Sequence, residues 1–327
     1  MQEKIIKLLR KSDGFVSGEE ISRQLNVSRS AVWKAINALR AQGYQIESVT
    51  NRGYHLKETP DVVSAVEIKN GLRAFVIGQN IVSLQSVDST NEEAKRQAQK
   101  GAPHGSVFVA EEQTLGKGRL GRHWIAEPQT GAWMSVLLRP DLGVRDVMQI
   151  TLIAGLAVSR AITGLCGCNA QIKWPNDVVI NGKKVCGILT EMAAESECIH
   201  YLVIGIGVNV NHRAFPEEIS HKATSLFLET GKAIPRAAVV RAVLEELEIL
   251  YDQFVASPFE DILSAYRKNC VTLGRRVSFQ RQEETYSGIA EDVNEEGDLL
   301  VRLSGGELIR VNSGEVTVQG IYRQGER

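Results

Sequence analysis

Glu112-Gln113-Thr114-Leu115-Gly116-Lys117-Gly118-Arg119-Leu120-Gly121-Arg122-His123-Trp124 follows the apolar β-type run 106–111. The seven residues from Gly116 to Arg122 hold three glycines and three cations. Glycine lets a backbone turn sharply and approach a ligand closely, because no Cβ intervenes. Lysine and arginine set between such glycines surround an anion with charge and N–H donors. A strand feeding such a loop points to a phosphate or carboxylate site at the end of a sheet. Taken alone, the same stretch also reads as a solvated hairpin loop. The sequence on either side decides between the two.

A chain of 327 residues, 43% hydrophobic and 24% charged, is long enough for two or three domains with a sizeable core. No apolar run reaches bilayer length, and Met1-Gln2-Glu3-Lys4 opens no signal-peptide segment. Five cysteines without a CxxC pair fit a reduced, cytoplasmic protein free of structural disulfides. The six histidines form no HExxH or paired metal-ligand spacing, so no fixed metal site is expected. The net charge of −1 conceals an asymmetry. Residues 1–58 carry ten Lys/Arg against six Asp/Glu, and the remainder carries 28 against 33. A small basic module on a larger acidic body implies two different partners.

In the basic part, Ile5, Ile6, Leu8 and Leu9 predict a first helix ending near Asp13-Gly14. Ser17-Gly18-Glu19-Glu20 opens a second as a capping box. After the turn Asn26-Val27-Ser28, Ser28 caps a third helix carrying Val32, Ile36 and Leu39 on one face. Residues 44–49 and 53–56 alternate around Thr50-Asn51-Arg52-Gly53, a hairpin signal. Helix-turn-helix plus hairpin is a winged helix. Ser28, Arg29, Ser30, Trp33, Lys34 and Asn37 suit base edges and phosphates, and Arg52 at the wing tip suits the flanking backbone. Winged helices also serve as protein–protein modules; the positive charge favours DNA.

From residue 80 onward, strands alternate with helices. Strand 81–87 ends in Asp88-Ser89-Thr90-Asn91, where Thr90 and Glu93 read as a capping box opening helix 91–100. Such a helix start also aims free N–H groups beyond the strand end. Strand 132–138 and an amphipathic helix over 144–165 follow. Lys173-Trp174-Pro175-Asn176-Asp177 precedes the apolar run 178–180, and Asn181-Gly182 turns it into a strand over 185–192. Lys184 and Gly187 lie on that return. The run 203–211, with Gly205 and Gly207, lacks the third glycine and following helix of a dinucleotide fingerprint. Glycines inside a strand mark close approach of a ligand or another backbone. Asn209 and Asn211 are placed on one face, suited to a hydroxyl or a metal-bound water. Helices over 239–254 and 258–268 and short strands from 276 to 311 complete the chain.

The set Ser89-Thr90-Asn91, Gln113 with Gly116-Lys117-Gly118-Arg119, Gly121-Arg122 and Trp124, Lys173-Trp174-Pro175-Asn176-Asp177, Lys184 to Leu189, and Gly205 to Asn209 resembles the biotin–protein ligases. With the winged helix in front, the chain is similar to the bifunctional form that also represses biotin genes. The resemblance spans essentially the whole length, with five motifs in register. It implies an α+β fold: a winged helix-turn-helix over 1–62, a central mixed β-sheet with helices (class II synthetase-like) over 63–270, and a small SH3-like β-barrel over 271–327.

The implied activity has two steps. The biotin carboxylate attacks the α-phosphate of ATP, and the resulting biotinyl-5′-adenylate acylates a lysine of the biotin carboxyl carrier domain of acetyl-CoA carboxylase and similar enzymes. Arg119 and Lys184 are implied at the reacting carboxylate and phosphate. Biotin contacts are implied for Ser89, Thr90, Asn91, Gln113, Lys117, Gly118, Arg119, Lys184 and Gly187. Adenylate contacts are implied for Arg122, Trp124, Lys173, Asn176, Asn209 and Asn211, with Mg²⁺ arriving on ATP. Lys117 stands where other members carry arginine, so charge is kept while bidentate contact is lost. The tail 319–323 puts Arg323 within reach of ATP. Operator DNA and a homodimer are the further implied partners. The alternatives are a repressor that only senses a small molecule and a lipoate ligase.

Overall fold

The computed structural model describes residues 1–195, 198–281, 284–312 and 314–322. Helices α1 (Gln2–Lys11), α2 (Gly18–Leu25) and α3 (Arg29–Ala41) precede the hairpin β1 (Gln45–Val49) and β2 (Gly53–Glu58). Ser17 and Ser28 cap α2 and α3, accepting from Glu20 N and Ala31 N at 3.0 and 3.2 Å. Ile5, Ile6, Leu9, Ile21, Val32, Ile36 and Leu39 close a core of their own. Val16 exchanges two backbone hydrogen bonds of 2.9 Å with Tyr54, tying the wing to the start of α2. This is the winged helix.

The central part runs α4 (Ala65–Lys69), β3 (Ile81–Val87), α5 (Thr90–Gln99), β4 (Ser106–Gln113), β5 (Gly131–Leu138), α6 (Val147–Cys166), β6 (Gln171–Lys173), β7 (Asp177–Ile180), β8 (Lys183–Glu195) and β9 (Cys198–Asn209). It ends in α7 (Glu217–Ser220), α8 (Leu226–Thr230), α9 (Arg236–Ala256) and α10 (Glu260–Asn269). Seven strands form one sheet in the order β3-β4-β5-β9-β8-β7-β6. Only β3–β4 pair in parallel; every other neighbour is antiparallel. Ala94 and Ala98 of α5 pack on Phe108, Leu137 and Val203 at one face. Helices α6 and α9 cover the other within the main core.

Three local expectations change. Helix α6 begins at Val147, and it is apolar nearly all round rather than amphipathic, with an unbroken buried run from Ile150 to Ser159. By length and composition it would cross a membrane, which the sequence reading missed; 67% of its apolar window is buried inside the protein. It is a core helix, sandwiched between sheet and α9. The third change concerns α5, whose N-cap is Ser89 rather than Thr90 and makes no side-chain cap bond. The Thr90 backbone N–H and hydroxyl both turn to Gln113 Oε1, at 2.8 and 3.0 Å, so the expected capping box does not form.

The C-terminal strands β10 (Arg276–Arg281), β11 (Glu284–Val293), β12 (Leu299–Leu303), β13 (Leu308–Val311) and β14 (Val316–Val318) form an antiparallel sheet in the order β13-β12-β11-β10-β14. Its inner face merges with the main core. Trp174, fully buried, pins it by donating Nε1–H to the Gly297 carbonyl at 3.0 Å. The three-part α+β order is the one expected.

The winged helix is joined to the sheet through a linker held by one cation. Arg236, at the start of α9, is 0% exposed. Its backbone N–H donates to Asp61 Oδ1 at 2.8 Å, and its guanidinium meets Asp61 Oδ2 at 3.1 Å, Glu111 Oε2 at 2.8 Å and the Gly131 carbonyl at 3.3 Å. Glu111 also accepts Val63 N–H at 2.6 Å. Farther on, Glu67 of α4 accepts from Arg10 of α1 at 2.8 and 2.9 Å and from the Tyr44 hydroxyl. Arg241 of α9 donates to the Glu67 carbonyl at 2.6 Å. Removing one partner of such a buried pair strands the other's charge. Arg236→Ala is therefore expected to cost about 3–5 kcal/mol in urea unfolding, and a loss below about 1 kcal/mol would contradict the clamp.

Candidate active site

A cavity of about 460 Å³, open mouth included, lies beside the start of α5 and the ends of β4, β8 and β9. Ser89, Thr90, Asn91 and Gln113 line one end, and Lys117, Gly118, Arg119, Trp124, Asn176, Lys184 and Gly187 line the rest. Residues distant in sequence thus share one wall. Sequence reasoning did not nominate Met134, Ile188, Leu189 or Ile206, which supply the apolar floor. Their signal was only strand periodicity, which marks burial but not what is buried.

At the neutral end, the buried Ser135 hydroxyl lies 2.8 Å from Thr90 Oγ1 and 2.6 Å from Asn91 Oδ1. Asn91 Nδ2–H donates to the Leu189 carbonyl at 3.2 Å and to Glu191 Oε2 at 2.7 Å. These side chains are pre-oriented before any ligand arrives, which lowers the entropy cost of recognition. Gly205 is forced here: a Cβ would lie 2.3 Å from Asn91 Oδ1. Gly207 meets Trp124 in the same way, 2.8 Å from its Nε1. The close approach expected at these strand glycines is made by two side chains.

The loop closes on itself through Trp124 N–H to Gly116 O at 2.8 Å and Gly118 N–H to Arg122 O at 2.7 Å. Gly116 has no room for a Cβ, which would sit 2.3 Å from Trp124 O, whereas a Cβ at Gly118 would clear its neighbours at 3.5 Å. Arg119 donates to Asn176 Oδ1 at 2.8 Å and to Gly314 O at 3.0 Å. Burial lowers the Arg119 pKa, opposed by the charges of Asp177 and Glu315. Lys184 Nζ pairs with Asp177 Oδ1 at 2.5 Å and stands 5.3 Å from the Trp124 ring centre. Burial would raise the Asp177 carboxyl, yet Lys184 and Lys173 outweigh it and hold the pKa below the usual range. The cavity is therefore cationic at one end and neutral-polar at the other.

Some nominated residues lie elsewhere. Lys173 is buried behind the cavity, 3.7 Å from Asp177 and 5.0 Å from the Tyr322 ring centre. Arg122 pairs outward with Glu315, whereas Lys117 lines the cavity with its Nζ paired to Glu92 at 2.6 Å. Asn209 donates to the Thr224 carbonyl at 3.1 Å, and Asn211 bonds Asp61 and both backbone groups of Ile234, so neither lines the cavity. Strand alternation does not reach Asn211, because β9 ends at Asn209, and both side chains are taken up by the segments that follow. Arg323 lies outside the described residues. On α3, Ser28, Arg29, Ser30, Trp33 and Lys34 are exposed and Asn37 is half-buried. Arg52 stacks over Phe15, 4.3 Å from its ring centre.

Trp124, Trp133, His212 and Phe215 run outward from the cavity, with successive ring centres 6.2, 6.0 and 4.9 Å apart. Both His212 nitrogens are buried without a protein partner among the described residues. Burial alone lowers its pKa from 6.5 to about 4.

The sequence patterns of three families match the chain in order: the HTH domain over residues 1–55, the Biotin/lipoate A/B protein ligase family over 83–209, and the Biotin protein ligase C terminal domain over 272–318. The chain is 39% identical over 294 residues to Bifunctional ligase/repressor BirA of Bacillus spizizenii, covering 89% of this chain and 90% of that one. It is 27% identical over 302 residues to Bifunctional ligase/repressor BirA of Escherichia coli, covering 92% of each. Biotin protein ligase from Aquifex aeolicus in complex with biotin and ATP superposes with a TM-score of 0.65 at 32% identity, over 74% of this chain and 99% of that one. The chain belongs to the biotin–protein ligase family.

His212 supplies a test of the aromatic run. Its folded pKa lies below its unfolded one, so only the unfolded chain takes up the proton as pH falls from 6.5 to 4. Stability contributed by neutral His212 is full above pH 6.5 and is lost over that window, by at most about 3 kcal/mol. In His212→Phe the decline in unfolding free energy between pH 6.5 and 4 should be shallower by that amount; identical slopes for parent and variant would refute it.

Proposed function

We infer that this chain activates biotin with ATP and transfers it to a lysine of the biotin carboxyl carrier domain of acetyl-CoA carboxylase and similar carboxylases, and that it represses biotin genes in response to biotin. The observation carrying this reading is the joining, in one cavity, of a neutral hydrogen-bonding pocket to a cationic end. A neutral ureido ring matches Ser89, Thr90, Asn91 and Gln113, whose groups would be left unpaired by an analogue lacking its polar atoms. The biotin carboxylate then extends toward Arg119 and Lys184. Negative charge gathers there as the carboxylate oxygen attacks the α-phosphorus and pyrophosphate departs.

No protein nucleophile is required, because positioning and fixed positive charge supply the catalysis. Lys184 and Arg119 stay oriented through Asp177 and Asn176. Trp124 covers the junction on one side, and Gly187 leaves the strand backbone open to it. Mg²⁺ arrives with ATP and offsets phosphate charge. No group of three or more His, Cys, Asp or Glu able to hold a metal occurs among the described residues. The loop shields the acyl-adenylate from water until the acceptor amine arrives. Arg122, Lys173, Asn209 and Asn211 act around this centre by electrostatics and by bracing the surrounding loops.

In this reading residues 1–62 bind DNA, 63–270 do the chemistry and 271–327 complete the site. The exposed side chains of α3 enter the major groove, and a cytoplasmic homodimer matches a two-fold operator.

The test is incubation with biotin, Mg·ATP and a carrier domain, followed by avidin detection. Arg119→Ala and Lys184→Ala should each lower the labelling rate about 10²–10³-fold. No labelling by the parent chain, or labelling with lipoate in place of biotin, would overturn the ligase reading. Gel shifts on DNA from upstream of biotin genes should tighten when biotin and ATP are present. Binding indifferent to them would overturn the switch.

A further inference from the structure

The glycine-rich loop is held against α5 by a line of alternating charges that no role assigned above requires. Lys117 Nζ meets Glu92 Oε1 at 2.6 Å; Lys95 Nζ meets the same Oε1 at 2.8 Å and Glu191 Oε1 at 3.0 Å. Glu191 in turn accepts Asn91 Nδ2–H at 2.7 Å. Asn91 is anchored from behind by Ser135. Two carboxylates and two ammonium groups thus lead from the neutral pocket to the loop across α5 and β8. The side chains of Glu92, Lys95 and Glu191 are 25–29% exposed and that of Lys117 49%, so the line stays within reach of salt. Hydrogen bonding to Lys117, then to Lys95, lowers the Glu92 pKa and keeps it charged at neutral pH.

We propose that Glu92 is a positioning residue for the loop: by pairing with Lys117 it seats residues 116–119 over the pocket, and through Lys95 and Glu191 it ties that seating to the orientation of Asn91. This deepens the ligase reading and rests on it. Glu92 touches neither substrate nor reacting atoms. It acts by fixing the Lys117 ammonium on α5, which orients the backbone of Gly118 and the side chain of Arg119 that follow it. It also explains why lysine serves at 117: a single carboxylate oxygen, shared with Lys95, asks for a point charge rather than a bidentate fork.

The experiment uses the full chain and the carrier-labelling assay with biotin varied, alongside pyrophosphate release without carrier as a measure of adenylate escape. Glu92→Gln should raise the KM for biotin and the carrier-free release about three- to fivefold, with kcat changed less than about twofold and an unchanged unfolding midpoint. KM should rise with ionic strength more steeply in the parent than in Glu92→Gln, which keeps only the salt dependence of carboxylate binding. Adding Glu92→Gln to Lys117→Met should raise the KM by clearly less than the product of the two single effects, what remains coming from the Lys95 pair. Parent-like KM and release in Glu92→Gln, or additive effects of the two substitutions, would overturn the proposal. A parent chain unable to label the carrier at all would sink the ligase reading first and this proposal with it.

Discussion

One buried guanidinium sets how the parts of this protein meet. Arg236 has no water to solvate it, so its charge must be matched locally. The matching groups come from three places: the linker through Asp61, strand β4 through Glu111, and strand β5 through the Gly131 carbonyl. A cation in the main core thereby fixes the path of the chain between the winged helix and the sheet. Glu111 stands two residues before Gln113 on the same strand, so the strand that clamps the linker also carries a wall of the cavity. The second junction, Glu67 with Arg10, Tyr44 and Arg241, orients the winged helix itself. Helix α9 supplies an arginine to both. The two basic groups that hold the DNA-binding module thus belong to the acidic body.

Architecture was legible in the sequence where periodicity and capping agree. Ser17 and Ser28 each precede a helical apolar face, and both cap as read. Asn181-Gly182 turns the β7–β8 hairpin with both residues at positive φ, as that dipeptide does. Thr90 misled because its sequence signature serves two ends equally well. A hydroxyl at a helix start either caps the helix or turns to a neighbouring strand, and Gln113 is known to be near only once β3 and β4 pair. Helix α6 misled for the opposite reason: burial on nearly every side erases the amphipathic signal.

The candidate site was legible as motifs but not as geometry. Glycine in a strand says that something comes close; it does not say what. At Gly205 it is Asn91 and at Gly207 it is Trp124, both brought from other elements by the sheet. Ser135 gave no sign, since one hydroxyl in an apolar strand reads as noise until Thr90 and Asn91 are seen to share it. Asn209 and Asn211 read as one strand face, yet β9 stops at Asn209, and polar residues at a strand end serve equally to hold the segments that follow. His212 left no local pattern, being a lone aromatic ring in a loop.

The loop shows how unlike the fates of similar residues can be. Lys117, Arg119 and Arg122 alternate with glycines and read alike in sequence. The fold sends them in three directions: Lys117 to α5, Arg119 to Asn176 and the Gly314 carbonyl, Arg122 to Glu315. Two of the three therefore connect the central sheet to the C-terminal one. A loop with this many glycines has little conformational preference of its own, so its shape is set by where its cations find partners. Those partners sit on helix α5, on the turn between β6 and β7, and on the segment between β13 and β14. The cavity's cationic end is accordingly a property of all three neighbours together. Loosening the C-terminal sheet, far from the neutral pocket in sequence, reaches the cavity through Arg119 directly.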